Sequence, residues 1–197
     1  MFFKLPDRLK GRTSASEDDN PMRRIGLVSD THGILDKKVE HILQGVSHIV
    51  HAGDIGTEKV LERLKRISSV TAVAGNTDTG ELACLPEFAM VELCGIRIFT
   101  THILGRSAGM KSDVLEAIRA SKPDVVVYGH THIHVAEKTG GIIFVNPGGA
   151  GPKRFHYPRT VADIAVTEGL LMVNFYDLDG KEAGRIIDAQ PFEFRAD

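Results

Sequence analysis

Five short apolar runs in this chain end alike, passing through a small or hydroxyl-bearing residue into Asp, Asn or His. Val28-Ser29-Asp30-Thr31-His32 closes the first, His51-Ala52-Gly53-Asp54 the second and Ala74-Gly75-Asn76 the third. Thr100-Thr101-His102 and Tyr128-Gly129-His130-Thr131-His132 close the other two. Short apolar runs bounded by glycine read as buried strands. In open α/β sheets, ligands collect beyond the carboxyl ends of such strands. Successive ends that each deliver Asp, Asn or His therefore point to one shared cleft.

Helical spacing separates the runs in the first half. Leu35, Val39, Ile42 and Leu43 predict a helix over 35–43, and Val60, Leu61, Leu64 and Ile67 predict one over 58–67. A third is expected over 110–120. Strands are expected at 24–28, 48–51, 70–74, 125–128 and 142–145, with 161–166 and 170–176 near the end. Runs 88–93 and 96–101 form a hairpin through Cys94-Gly95. A βαβαβ first half and a strand-rich second half predict an α/β fold, a four-layer αββα sandwich. Its two mixed β-sheets would be flanked by helices, with the site at the C-terminal ends of the strands. Residues 1–22 are polar, carry Pro and Gly and lack periodicity, so a flexible N-terminal extension is expected there, followed by a single domain over 23–197.

Composition narrows the chemistry. Nine His stand beside only two Cys, which permits an imidazole–carboxylate metal site and excludes zinc ribbons and iron–sulfur clusters. Cys84 and Cys94 are expected as free thiols. With 24 Lys+Arg against 26 Asp+Glu the formal charge is −2, so no basic face for nucleic acid is expected. No run approaches the ~18 apolar residues of a membrane span, and the start lacks the apolar core of a signal peptide. The cytoplasm is the expected compartment, without a membrane partner.

Asp30, Asp54, Asn76, His32, His102, His130 and His132 offer two carboxylates, one amide oxygen and four imidazoles. That exceeds the usual ligand count of one first-row ion and suits two ions sharing a carboxylate, for which Asp54 is midway in the set. Two divalent cations against two Asp leave about +2, a charge that fits a phosphate ester.

In this order and spacing the residues resemble the calcineurin-like metallophosphoesterase superfamily, over about residues 23–177. Within it the chain is similar to the small single-domain bacterial and archaeal phosphodiesterases, which share the turn Asn146-Pro147-Gly148. The resemblance implies one ion on Asp30, His32, Asp54 and His132, and a second on Asp54, Asn76, His102 and His130. It implies a phosphodiesterase in which a metal-bridging hydroxide attacks phosphorus in line, with Asp54, Asn76 and His130 at the catalytic centre. The thiolate-free donor set points to manganese, with nickel, iron or zinc as alternatives. The expected partner is a small phosphodiester, and pairing into a homo-oligomer stays open. Two other functions stay open beside it: a phosphomonoesterase, and a protein-interaction scaffold like the retromer subunit built on this fold.

Departures from the family pattern sharpen the expectation. Thr77 and Asp78 follow Asn76 where many members place His directly after the Asn, which favours a diesterase. Ile103-Leu104-Gly105 follows His102 where a second His is common, and Gly149 replaces a Ser after Asn146-Pro147-Gly148. His134 and Asp78 are the candidates to protonate the leaving group, and Arg154 is a candidate to position phosphate. His51 is expected behind a ligand, and His41, His48 and His156 have surface or structural readings.

Overall fold

The computed structural model describes residues 23–106, 109–154, 156–167, 169–182 and 184–194. The extension expected over 1–22 lies outside the described residues.

One sheet has the strand order β13-β12-β11-β1-β2-β3. Its parallel half is β1 (Arg23–Val28), β2 (His48–His51) and β3 (Val70–Ala72). Its antiparallel half is β11 (Thr160–Thr167), β12 (Leu170–Asp177) and β13 (Ile186–Glu193). The second sheet runs β4-β5-β8-β10-β9. Here β5 (Ile96–Thr101), β8 (Val125–Val127) and β10 (Ile142–Asn146) are parallel, flanked by antiparallel β4 (Phe88–Leu93) and β9 (Val135–Thr139). A ribbon of β6 (Gly105–Arg106) and β7 (Gly109–Met110) follows β5.

Period-two alternation assembles the layers. Ile25 and Leu27 of β1 meet Ile96, Ile98, Val125 and Val127 of the other sheet in one core between the sheets. The alternate residues Phe99 and Val126 point outward and are covered by Val114 and Ile118 of α3 (Ser112–Ser121). On the opposite outer face, Val39 and Ile42 of α1 (Lys37–Ile42) and Val60 and Leu64 of α2 (Glu58–Lys65) bury Val28 and Ile49. The result is helix, sheet, sheet, helix, as expected. Among the described residues no helix is long and apolar enough to cross a membrane.

Where element ends differ, local chemistry explains the shift. The first helix begins two residues later than the periodicity implies, because the Asp36 side chain caps it by accepting the N–H of Lys38 at 3.0 Å. Third-strand pairing stops at Ala72, since the chain must leave the sheet to deliver Asn76. The hairpin matches its expected bounds, with Cys94 and Gly95 at φ 55° and 77° supplying the two left-handed positions of a tight turn. Strands β9 and β13 were not anticipated. Both are edge strands, rich in charged and polar residues, and β13 carries Pro191; such edges lack a clean apolar alternation.

A buried polar cluster locks β1 to the antiparallel half of its sheet. Asp163 is fully buried on β11 and accepts from Arg24 Nε at 2.7 Å, Tyr176 Oη at 2.8 Å and Asn174 Nδ2 at 2.8 Å. Arg24 also donates to the carbonyl of Ile42 at 3.0 Å, so it satisfies the C-terminal end of α1 as well.

Candidate metal centre

Every candidate ligand leaves a parallel strand at its carboxyl end. Asp30 and His32 follow β1, Asp54 follows β2, Asn76 follows β3, His102 follows β5, and His130 and His132 follow β8. Because the parallel halves of the two sheets face each other across the core, their strand ends meet at one rim.

The loops are strained to deliver these side chains. Among the described residues, seven non-glycine positions have φ in the left-handed region, and five are candidate ligands: Asp30 (54°), His32 (44°), Asp54 (53°), His130 (72°) and His132 (59°). Each such residue costs about 1–2 kcal/mol against ordinary backbone. Cross-loop hydrogen bonds hold them there: Asp30 N–H to the Gly53 carbonyl at 3.0 Å, His32 N–H to the Asp54 carbonyl at 2.9 Å and Gly129 N–H to the His102 carbonyl at 3.1 Å. The glycines before the ligands serve two purposes. Gly53 itself takes φ 85°. Gly75 has ordinary φ but lies so close to Asp54 that a Cβ would overlap that residue's backbone N and carboxylate.

Each carboxylate is fixed through one oxygen and free at the other. Asp30 Oδ2 accepts the backbone N–H of His130 at 3.0 Å, while Oδ1 is buried without a hydrogen-bond partner. That orphaned oxygen stands 3.3 Å from His132 Nε2 and 3.9 Å from His32 Nε2. Asp54 repeats the pattern: Oδ1 accepts the N–H of Thr77 at 2.8 Å, and Oδ2 faces His102 Nε2 at 3.4 Å and His32 Nε2 at 3.7 Å. The Nδ1–H of His102 donates to the Ala52 carbonyl at 2.8 Å, which leaves the lone pair on Nε2. Asn76 Oδ1 lies 3.0 Å from that nitrogen and 2.9 Å from His130 Nδ1. His32 and His132 stack at 5.3 Å with their Nε2 atoms 3.4 Å apart.

With the rings neutral, lone pairs thus converge on lone pairs, an arrangement that a bound cation resolves without leaving buried acceptors unpaired. Ligand atoms of Asp30, His32 and His132 lie within 4.8 Å of one another, as do those of Asp30, Asp54 and His102. They share Asp30, while Asp54 Oδ2 stands between one imidazole of each. The donor set therefore fits divalent ions. Burial alone would raise the Asp30 and Asp54 carboxyls, but the imidazoles beside them, and for Asp54 the Thr77 N–H, hold both below the usual carboxylate range. Burial opposes charge on His32 and His130, favouring the neutral rings that bind metals. Asp30, Asp54, His102 and His132 are buried, whereas Asn76 and His130 are exposed, so the cleft opens on their side.

The other candidates fall in different places. Asp78 is buried and accepts the N–H groups of Ile55 at 3.1 Å, Gly56 at 2.8 Å and Gly75 at 2.8 Å. It clamps the Asp54 loop to the Asn76 loop, with both carboxylate oxygens committed to backbone N–H groups. His134 is half-buried with its ring 5.1 Å from that of Phe175, a residue of the inter-sheet core, and does not join the ligand cluster. Arg154 is exposed in a small cleft with His132 and Tyr157, close enough for its charge to act on His32. His51 is fully buried, and its Nε2–H donates to Thr31 Oγ1 at 3.0 Å, between two ligands. The Thr31 hydroxyl in turn donates to the Ile55 carbonyl at 3.0 Å.

Asn146 has a role beyond marking a motif. Its Nδ2 donates to the Gly129 carbonyl at 2.9 Å and Thr131 Oγ1 at 3.0 Å, bracing the loop that carries His130 and His132. Its Oδ1 accepts the N–H of Gly148 at 2.9 Å. Ser29 Oγ donates to the Gly148 carbonyl at 2.7 Å, so the same turn also steadies the Asp30 loop. Chain order gives only the turn; its partners appear once the sheets pack.

Comparison with known proteins agrees with this geometry. Residues 22–169 match the calcineurin-like phosphoesterase superfamily domain. Phosphodiesterase MJ0936 of Methanocaldococcus jannaschii is 33% identical over 144 residues, covering 64% of this chain and 82% of that protein. Phosphodiesterase YfcE of Escherichia coli is 34% identical over 152 residues, covering 64% and 79% respectively. Among solved structures, Vacuolar Protein Sorting 29 of Cryptosporidium parvum shares the fold with a TM-score of 0.71 at 20% identity, over 88% of this chain and 99% of that one. The chain belongs to the calcineurin-like phosphoesterase superfamily.

Proposed function

We propose that this protein is a cytoplasmic phosphodiesterase that works with two divalent ions. One ion would be held by Asp30, His32, Asp54 and His132, the other by Asp54, Asn76, His102 and His130. The observation that carries this reading is the free Oδ2 of Asp54, 3.7 Å from His32 Nε2 and 3.4 Å from His102 Nε2, with an imidazole of each group on either side. When bound, such ions supply Lewis acidity toward phosphoryl oxygens and make water acidic enough to act as a nucleophile near neutral pH. The chain's own residues do the rest. Asp54 fixes the spacing of the two sites, and Asn76 and His130, on the exposed side, orient the phosphoryl group. Arg154 at the rim draws the anionic diester in and steadies its non-bridging oxygens.

Diester rather than monoester chemistry is favoured at Thr77. Its backbone N–H is committed to Asp54 and its Oγ1 lies 3.5 Å from His32 Nδ1, so the position offers no imidazole for a monoester dianion. The retention of a complete donor set weighs against a pure protein-interaction scaffold on this fold. Manganese suits the oxygen–nitrogen donors, with nickel, iron and zinc as alternatives.

The test is to strip the protein, reload it with each metal in turn and compare rates on bis(p-nitrophenyl) phosphate and p-nitrophenyl phosphate. We expect metal-dependent hydrolysis with the diester preferred, and loss of at least about 100-fold in Asp54→Asn. Equal rates in a folded Asp54→Asn protein would refute the reading. Metal binding without hydrolysis of either ester would return the scaffold.

A further inference from the structure

A cavity of about 240 Å³ opens directly beside Asn76 and His102. We propose that it seats one ester arm of the substrate, and that this arm is an uncharged ring-sized group of the aryl or nucleoside class. The inference rests on the phosphodiesterase reading and specifies its substrate.

Continuity is the first ground. Asn76 and His102 line the cavity as well as the candidate metal centre, so a phosphoryl group held at that centre would have an ester oxygen near the cavity mouth. Size is the second. Pockets that take whole ligands measure roughly 300–1,000 Å³. This one holds a part, a ring with its substituents, rather than both arms of a diester.

Lining chemistry narrows the arm further. Ala74, Ala83, Leu85 and Ile103 present carbon to the space. Among the described residues the acidic and basic side chains lining it, besides His102, are Glu87 and Lys111, joined by an ion pair of 2.9 Å. Their charges cancel, so the cavity attracts neither a second phosphate nor a cationic headgroup. Ammonium and carboxylate can still exchange hydrogen bonds with the edge of a heterocycle.

The wall is fixed in advance. Ala74 N–H donates to the Pro86 carbonyl at 3.0 Å and Thr101 Oγ1 to the Glu87 carbonyl at 3.3 Å, tying the Leu85-Pro86-Glu87 segment to the ends of both sheets. Leu85 N–H donates to the Leu82 carbonyl at 3.2 Å, closing the 3-10 turn Gly80–Cys84 that carries Ala83. A preformed apolar wall binds a ring without ordering a loop first.

The experiment uses the full, manganese-loaded chain and calorimetric binding of non-hydrolysable phosphonates. Methylphosphonate reports the metal centre alone. Phenylphosphonate and a uridine 5′-methylenephosphonate add the two arms. We expect the aryl or the nucleoside compound, or both, to bind at least about tenfold tighter than methylphosphonate. Whichever gains affinity identifies the arm. Ala83→Trp, at an exposed position, should reduce that ratio to about one by filling the space. Glu87→Lys, also exposed, should shift preference toward a carboxyphenyl arm. Equal binding of methyl and ring compounds by the unaltered protein overturns the subsite, as does a ring advantage that survives Ala83→Trp. If neither methylphosphonate nor dimethylphosphinate, a monoanionic mimic of a diester, binds the loaded protein, the phosphodiesterase reading fails and the subsite with it.

Discussion

Asp78 Oδ2 accepts the backbone N–H of Gly75 at 2.8 Å, folding the chain back over Asn76, the ligand between them. The same carboxylate reaches across to Ile55 and Gly56, immediately after Asp54. One side chain therefore sets the distance between the two loops that carry Asp54 and Asn76, proposed above as ligands of the same ion. Asp78→Ala should weaken affinity for that ion by roughly 10–100-fold, the range seen when groups orienting metal ligands are lost. Asp78→Asn, which keeps one acceptor oxygen, should fall between the two. Metal titration of stripped protein reads this directly, and unchanged affinity in Asp78→Ala would remove the clamp.

Gly75 and Gly80 make a matched pair for testing close approach against backbone freedom. Gly80 has φ 60° but open space where a Cβ would go, whereas at Gly75 a Cβ would strike Asp54. Gly80→Ala should lower stability by about 1 kcal/mol and leave metal affinity intact. Gly75→Ala should displace Asp54 and abolish binding of at least one ion. Competitive chelation on both variants, with melting curves as the control for folding, separates the two effects.

Bound metal should also stabilise the fold. The strained ligand loops and the orphaned Asp30 Oδ1 make the cation part of the structure's own hydrogen-bond accounting. An ion at 100 times its Kd adds about 2.7 kcal/mol, or roughly 5–10 °C in melting temperature for a chain of this size. Manganese added to stripped protein should give that rise, and Asp54→Asn should blunt it. A flat response in scanning calorimetry would contradict the cation reading.

How much of this was legible in sequence depended on whether the signal was local. The strand ends carrying Asp30, Asp54, Asn76, His102 and His130 could be read because apolar runs stop abruptly at polar residues. The hairpin over Phe88–Thr101 was legible because its turn, Cys94-Gly95, sits between two alternating runs. The helix starting at Lys37 was overextended because Leu35 continues the apolar stripe although the Asp36 cap ends it. The clamp made by Asp78 was not legible because two of its three partners lie 22 and 23 residues earlier in the chain. Asn146 likewise acts on Gly129 and Thr131, 17 and 15 residues away. Such bonds exist only after the sheets have packed. The left-handed backbone of five candidate ligands was also invisible, since Asp and His carry no glycine-like mark of it.

His51 gives the fold a specific acid sensitivity. Burial lowers its pKa to about 4, so the folded protein holds it neutral while the unfolded chain protonates near 6.5. A depressed folded value means that the unfolded state binds the extra proton as pH falls. The stability associated with neutral His51 is thus fully present above about pH 6.5 and is lost progressively between there and pH 4. Between pH 7 and pH 5 the expected loss is about 2 kcal/mol. His51→Gln keeps an N–H able to donate to Thr31 and removes the titration. Urea unfolding of metal-stripped protein should therefore show a steeper acid decline for the parent than for His51→Gln. The difference between the two curves isolates His51, because His32 and His130 titrate in both. Parallel curves across this range would mean that water reaches the imidazole and that the Thr31 contact opens in solution.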